Sequence, residues 1–558
     1  MIRFSLVAGA VLAALAPLSA VSQVLPPLLL PPAADPGALQ QRQIEDERRR
    51  REAERELQQP AQPLTRPAAP VAPTVADASG KRIAVNDIRF TPSEILDAAA
   101  LERIAADYRG KQVTLTELQQ LADRVNALYK DKGVVTALAT IPQQDVTAGV
   151  IEVRLVEGRV GKVNIEGNAS TSASFITPRL GLVGGELVDL QKLENGLVRF
   201  NRTNDVRLQA DLKPGEVFGT TDLQVSVVEP PKHEMLVTVD NLGSALTGEW
   251  RAGLSYRNRS LFGWRDDLSL SYTRAAGQDS RAISYAVPVN RWGGRVSLGL
   301  YEDRTQIRYG ALASLNITGE SRAQVLMLRQ PVWIDTRSQW DVVAGAKRRV
   351  SSNDIDGVFL QRTDSKDRSL GVEWQWAADT SALTASYIKY WANATVLERN
   401  EYDIDRASLR YSQGLPWGLT LRTALTGQSA RQKNLPSGEQ FFLGGEGSVR
   451  GYPVGSYSGD EGYTASVELH HPLFNTQIGS QALTTTGFFF ADHGRTMPFR
   501  PPDSLLPHHE KLTGIGWGLN AALGKRTSLR LTLGYGLDEM PLAKRNYQVT
   551  VQLVSSLL

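Results

Sequence analysis

From about Lys232 to Leu558 the chain alternates apolar and polar residues with a period of two. Clear instances are Leu268-x-Leu270-x-Tyr272, Ile283-x-Tyr285-x-Val287-x-Val289, Val296-x-Leu298-x-Leu300, Tyr463-x-Ala465-x-Val467-x-Leu469 and Tyr547-x-Val549-x-Val551-x-Leu553, and most intervening positions are Ser, Thr, Gln or Glu. A period of two is that of a β-strand with one apolar and one polar face. Aromatic residues gather near the strand ends, as at Trp250, Tyr256, Trp264 and Tyr272, where the interfacial girdle of a membrane barrel lies. Residues 231–558 accommodate about sixteen tilted strands at about 20 residues per strand and loop. A soluble sandwich or propeller is the alternative, and the lack of a blade-length repeat weakens the propeller.

Residues 82–229 have a different texture, with a supersecondary unit used twice. Strand Ile83–Phe90 is followed by helices around Ser93–Tyr108 and Leu115–Lys132, then by strands Val134–Pro142 and Gly149–Val156. The second helix opens on a capping box, Thr114-x-x-Glu117, and carries Leu118, Leu121, Val125 and Leu128 on one face. The run Gly161–Asn168 restarts the pattern, with helices near Ser174–Leu180 and Asp189–Asn201 and strands Val206–Leu212 and Thr221–Val228. The period is roughly 75 residues, in β-α-α-β-β order.

The N-terminus reads as a secretory signal peptide over residues 1–22, with Arg3, an apolar run Phe4–Leu18 and small residues Ala20-Val21-Ser22. A second stretch, 36–59, is rich in Glu, Arg, Gln and Ala at helical spacing and has few apolar side chains. A helix polar all round cannot enter an apolar core. It is either a solvated segment or a helix within a water-filled polar channel. Residues 60–80 form a proline-rich linker.

Composition narrows the chemistry. Of 558 residues, Lys and Arg total 62 and Asp and Glu 59, a net charge of +3 that argues against bulk nucleic-acid binding. No cysteine is present, so thiol catalysis, disulfides and cysteine metal sites are excluded. The histidines are His233, His470, His471, His493, His508 and His509, with no metal-ligand spacing and no nucleophile elbow. They read as loop or lumen residues, with a modest role for His493 beside Asp492. No metal, cofactor or nucleotide site is expected, and the phosphate-binding Gly-x-x-x-x-Gly-Lys-Ser/Thr motif is missing.

One segment stands out. Phe442–Pro453 reads Phe-Leu-Gly-Gly-Glu-Gly-Ser-Val-Arg-Gly-Tyr-Pro, and a later strand-like run, Gly487–Asp492, carries one carboxylate. On its own, the first segment is a glycine-rich surface hairpin with a solvated Arg450, or a loop folded back into a barrel. In the second case Arg450 meets Asp492, because a buried guanidinium needs a carboxylate.

Val449-Arg450-Gly451-Tyr452 together with Phe490-x-Asp492 resembles the signature of the outer-membrane insertase/transporter superfamily. Lys132-Gly133, Pro142-Gln143-Gln144-Asp145, Gly149-x-Ile151-x-Val153, Glu157-Gly158-Arg159 and Ile165-Glu-Gly-Asn168 resemble polypeptide-transport-associated (POTRA) domains of the two-partner secretion type. Thr238-Val239-Asp240-Asn241-x-Gly243 is similar to that family's first barrel strand and turn. The chain is thus identified with the two-partner secretion transporters, or TpsB family, of the filamentous-haemagglutinin and haemolysin exporter type.

The resemblance implies a plug helix at 36–59, POTRA domains at 81–157 and 158–230, and an antiparallel transmembrane barrel of sixteen strands at 231–558 with an inward-folded loop near 440–458. It implies no enzyme activity and an unfolded TpsA-type exoprotein (an adhesin, haemolysin or contact-dependent toxin) as partner. Outer-membrane lipid surrounds the barrel, the POTRA domains lie in the periplasm, and periplasmic chaperones are further partners. Val449, Arg450, Gly451, Tyr452, Phe490 and Asp492 would latch the loop, and Pro142, Gln143, Asp145, Gly167 and Asn168 would recognise substrate. Barrel insertases share the signature, and a receptor or adhesin barrel is the alternative of another class. The end, Ser555-Ser-Leu-Leu558, departs from the aromatic terminus common in such barrels.

Overall fold

The computed structural model describes residues 35–45, 64–65 (backbone only), 82–396, 398–500, 504, 507–540 and 545–558. The expected signal peptide and residues 46–59 of the expected plug helix therefore lie outside the described residues, as does nearly all of the linker. The chain divides into two compact units, residues 61–230 and residues 231–558 together with the N-terminal segment up to 60.

In the first unit each repeat builds its own core. Leu118, Leu121, Val125 and Tyr129 of the helix Leu115–Asp131 pack with Ile88, Ile151 and Val153. Leu193, Leu197 and Phe200 of the helix Leu190–Thr203 pack with Leu208 and Val225. The capping box forms as expected: Glu117 N donates to Thr114 Oγ1 at 3.2 Å and Thr114 N to Glu117 Oε2 at 2.7 Å. Both helices also present an asparagine to the neighbouring strand. Asn126 brackets the backbone N–H and C=O of Ala139, and Asn201 those of Leu208.

Three expectations need correcting here. Strand 83–90 is split, with Ile83–Ala84 pairing with Gln112–Val113 and Asp87–Phe90 with Val150–Val153. The break falls where Asn86 N and Asp87 N both donate to Gly149 O. The next helix begins at Ala98 rather than Ser93. Ser93 Oγ and the backbone N–H of Glu94 and Ile95 are instead spent on the Glu157 carboxylate. Within the linker, Leu64–Thr65 is a short strand lying parallel to Ala210–Asp211, on the edge of the second repeat's sheet. An open sheet edge offers unpaired donors and acceptors that an extended segment can satisfy.

The second unit is a closed antiparallel barrel of sixteen strands. In order they are β1 His233–Asp240, β2 Arg251–Asn258, β3 Asp267–Ala275, β4 Gln278–Pro288, β5 Arg295–Gln306, β6 Ile317–Ile334, β7 Ser338–Ile355, β8 Val358–Ala377, β9 Ser381–Thr395, β10 Arg399–Gly414, β11 Thr420–Ala430, β12 Glu461–Ile478, β13 Gln481–Met497, β14 Glu510–Leu523, β15 Thr527–Gly536 and β16 Tyr547–Ser556. Leu298, Leu300, Leu326, Leu328, Leu370 and Val372 are exposed on the outer wall, while Asp303, Ser321 and Asp341 are buried on the inner one. This is the apolar-out, polar-in order of a membrane barrel.

β16 closes the barrel against β1, from Leu236↔Ser556 to Asp240↔Gln552. Asn241 extends the seam: its Nδ2 donates to Val549 O, and its Oδ1 accepts from Val551 N, both at 2.8 Å. The non-aromatic end thus still pairs. Short turns, such as 335–337, 378–380 and 479–480, occupy one rim, and the long segment 431–460 rises from the other. Short turns face the periplasm in barrels of this kind and long loops face outward.

Candidate functional site

The segment 431–460 does not stand out in solvent. Phe441–Leu443 and Tyr457–Gly459 pair as a short hairpin stem, and the loop between them turns into the lumen. Val449 is fully buried with Leu443, Tyr452 and Leu512. Gly451 has φ +95°, and a Cβ there would lie 2.7 Å from Gly536 N and from the carbonyl carbon of Tyr535. Only glycine fits a positive φ against a backbone wall that close.

Arg450 and Asp492 meet as a two-pronged pair. Arg450 Nε donates to Asp492 Oδ2 at 2.7 Å and Nη2 to Oδ1 at 2.8 Å, while the backbone N–H of Arg450 donates to Oδ2 at 3.0 Å. Arg450 is 5% exposed and Asp492 1%. The guanidinium carbon sits 3.6 Å from the centroid of the Phe490 ring, a cation–π contact strengthened by desolvation. Tyr452 Oη donates to Thr513 O at 2.8 Å and accepts from Asp538 N at 2.8 Å.

Several members of the site escaped the sequence reading. Arg450 Nη1 also bonds Glu468, and Ser466 Oγ accepts from Arg450 Nη2 while donating to Asp492 Oδ1. Ser466 lies directly across from Asp492 in the β12–β13 register. Arg530 reaches Glu468 at 3.5 Å and Glu446 at 3.1 Å, and Thr532 and Thr550 donate to Glu446. The alternating series Asp492–Arg450–Glu468–Arg530–Glu446 begins on the wall, passes through the loop and wall, and ends on the loop. Glu468 was legible as a carboxylate at a polar position of the alternating run 463–469. The histidine beside this network is His470, whose Nε2 lies 2.7 Å from Glu468 Oε2 and whose ring stacks on Phe488 at 5.1 Å. His493 instead contacts Thr513.

The second occupant of the lumen is the N-terminal helix, residues 36–45. Asp35 Oδ1 caps it by accepting from Ala38 N. Gln40 and Gln41 are buried against polar wall groups: Gln40 Nε2 donates to Ser321 O at 3.1 Å, Ser321 Oγ donates to Gln40 Oε1 at 2.8 Å, and Arg349 donates to Gln41 Oε1. Glu45 pairs with Arg406 at 3.1 Å. The wall cations are shared with Glu439, which takes Lys347 at 3.0 Å and Arg349 at 3.1 Å. Arg42 lies over the Phe442 ring at 4.5 Å, and a Cβ on Gly455 would come within 2.0 Å of its Nη2. Helix and loop are therefore in direct contact.

The residues assigned to substrate recognition lie apart, in two different turns. Gln143 and Asp145 are exposed and Pro142 is half-buried. Asp145 Oδ1 accepts from both the N–H and the hydroxyl of Thr147, and Asn168 Nδ2 donates to Thr171 O. Gly167 has φ +84° with Val227 O 2.4 Å from where a Cβ would stand. Asp145, Gly167 and Asn168 thus visibly shape turns.

Residues 219–521 match the family described as haemolysin secretion/activation protein ShlB/FhaC/HecB, and residues 83–158 match the ShlB-type POTRA domain. The chain is 23% identical over 462 residues to the heme/hemopexin transporter protein HuxB of Haemophilus influenzae (strain 86-028NP), covering 78% of this chain and 80% of that protein. It is 26% identical over 462 residues to the outer membrane transporter CdiB of Dickeya dadantii (strain 3937), covering 77% and 79%. Among solved structures it is similar in fold to CdiB from Escherichia coli, with TM-score 0.65 and 21% identity over 96% of this chain and all of that one.

Proposed function

This chain belongs to the haemolysin secretion/activation family ShlB/FhaC/HecB, and from that premise we propose a cycle for its secretion of a TpsA-type exoprotein across the outer membrane. The exoprotein reaches the periplasm unfolded, kept so by periplasmic chaperones, and adds as a strand to a POTRA sheet edge. Strand addition suits an unfolded chain because its backbone donors and acceptors are free. The short parallel pairing of Leu64–Thr65 with Ala210–Asp211 supports this reading, since that edge already accepts an extended segment.

The helix 36–45 acts as a plug that leaves before transport, and the Arg450–Asp492 pair latches the loop in the lumen. The observation that carries the plug assignment is the burial of Gln40 and Gln41 against Ser321 and Arg349. Polar partners on a polar wall are exchanged for water at little net cost, so such a helix is held but releasable. Export proceeds without nucleotide hydrolysis, with folding of the exoprotein outside biasing the movement, and no catalytic step is assigned. Pro142, Gln143, Asp145, Gly167 and Asn168 take part in recognising the exoprotein, with Asp145, Gly167 and Asn168 holding their turns in shape.

The test is co-expression of the full chain with a candidate TpsA-type exoprotein. The exoprotein should appear in the medium, and only when the barrel is present. Assembly of other barrels without any export would favour an insertase. Surface binding without export would favour a receptor.

A further inference from the structure

The outer wall of β5 to β8 changes from apolar to charged along one sharp border. On β5 outward Leu298 and Leu300 give way to Glu302 and Arg304; on β6, Leu328 and Leu326 to Gln324 and Arg322; on β8, Val372 and Leu370 to Arg368 and Lys366. On β7, Trp340, Val342, Ala344 and Ala346 lead to Arg348. The register joins these steps, with Leu300 opposite Gln324, Gln324 opposite Arg348, Ala346 opposite Arg368 and Leu370 opposite Lys389. From the short turn before Ser338 to Arg348 the strand rises about 33 Å, or about 25 Å along the membrane normal at a tilt of about 40°. That matches the height of a barrel's apolar band, so the border marks the headgroup level on the long-loop side.

At this border the carboxylates on the protein do not match all of its cations, and two are left for an outside anion. Arg348 stands directly opposite Lys366, and like charges so placed repel. Asp364 takes Arg348 through Nη2 at 2.8 Å and Nε at 3.3 Å. Lys366 and Arg368 are exposed with no carboxylate at ion-pair distance among the described residues. Lys389 flanks them, 3.9 Å from Asp403 and 3.8 Å from Asp405. One row further out, Glu302 and Glu320 interleave with Arg304 and Arg322 in a solvated ladder.

We propose that Arg348, Lys366 and Arg368 form a docking surface for the phosphate groups of a negatively charged glycolipid headgroup in the outer leaflet. The cations face the phosphates, Leu326, Leu370 and Val372 below them face the acyl chains, and the carboxylates of the outer row accept hydrogen bonds from sugar hydroxyls. Arginine and lysine at a membrane border bind anionic headgroups through this mix of charge and donor geometry. The surface depends on the barrel spanning the outer membrane and not on which exoprotein is carried.

The test uses the purified full chain, with diphosphoryl lipid A and its dephosphorylated form as probes and bound lipid counted by native mass spectrometry. Diphosphoryl lipid A should bind at least tenfold tighter than the dephosphorylated form, with the difference shrinking as salt rises. The triple variant Arg348→Glu/Lys366→Glu/Arg368→Glu should lose that difference, whereas Lys525→Glu/Arg526→Glu, in a turn of the opposite rim, should keep it. Heat-modifiable gel mobility reports folding. If the triple Glu variant does not fold, Arg348→Gln/Lys366→Gln/Arg368→Gln provides the same comparison. Equal binding of the two lipid forms to the wild type, or full retention by a folded triple variant, would overturn the proposal.

Discussion

Arg450 and Asp492 are joined by a two-pronged ion pair, at 2.7 Å and 2.8 Å, that is buried inside the barrel and reinforced by the arginine's own backbone N–H. Removing one partner of such a pair leaves the other charge uncompensated, at about 3–5 kcal/mol. Arg450→Ala should therefore release the loop and abolish secretion while the barrel stays inserted. Exoprotein in the medium and heat-modifiable mobility of the barrel measure the two effects separately. Wild-type secretion by this variant would remove the latch from the mechanism.

Gly514 offers a check that touches no charge. A Cβ there would lie 1.9 Å from Arg450 O, a contact that real atoms do not make. Gly514→Ala should push the loop off β14 and reproduce the Arg450→Ala secretion defect with every hydrogen-bonding side chain intact. A Gly514→Ala barrel that secretes normally would mean that loop seating is not needed.

Much of this architecture was legible because period-two alternation and paired motifs are local signals. Val449 to Tyr452 and Asp492 could be named because they resemble a family signature, and the need of a buried arginine for a carboxylate gave that match its physical sense. Glu446 and Arg530 could not, and Glu468 showed only as a polar position of its strand, because only the barrel's register brings the three together. The break at Val85–Asn86 and the late start of the helix at Ala98 depend on contacts with Gly149 and Glu157 far along the chain. Nothing in the proline-rich linker announces that Leu64–Thr65 pairs with Ala210–Asp211, since that pairing is backbone to backbone.

Glu157 gives a pH-dependent prediction within the first repeat. Burial raises its pKa, but hydrogen bonds from Ser93, the backbone of Glu94, Tyr129 and the backbone of Ile95 outweigh burial and hold it below the usual carboxylate value. A group depressed in the folded state adds stability above its unfolded pKa, about 4.3, and that stability fades as pH falls through the folded value. Hydrogen exchange of the amides in helix Leu115–Asp131, measured in the full chain, should therefore lose protection below about pH 4. Glu157→Gln should cost about 1–3 kcal/mol at neutral pH and flatten this dependence. An unchanged pH profile in Glu157→Gln would assign the acid sensitivity to other groups.

The plug assignment can be tested by tethering, because the chain has no cysteine of its own. A Cβ built on Gly37 stands 3.5 Å from Ser351 Oγ on β7, close enough for a disulfide after small adjustment. In Gly37→Cys/Ser351→Cys under oxidising conditions the helix is fixed to the lumen wall. Channel conductance in planar bilayers should then stay low and secretion should stop, and a reductant should restore both. The single variants should behave as wild type whether oxidised or reduced. Full secretion through a barrel in which the crosslink is shown to be complete would mean that the exoprotein passes the helix without displacing it.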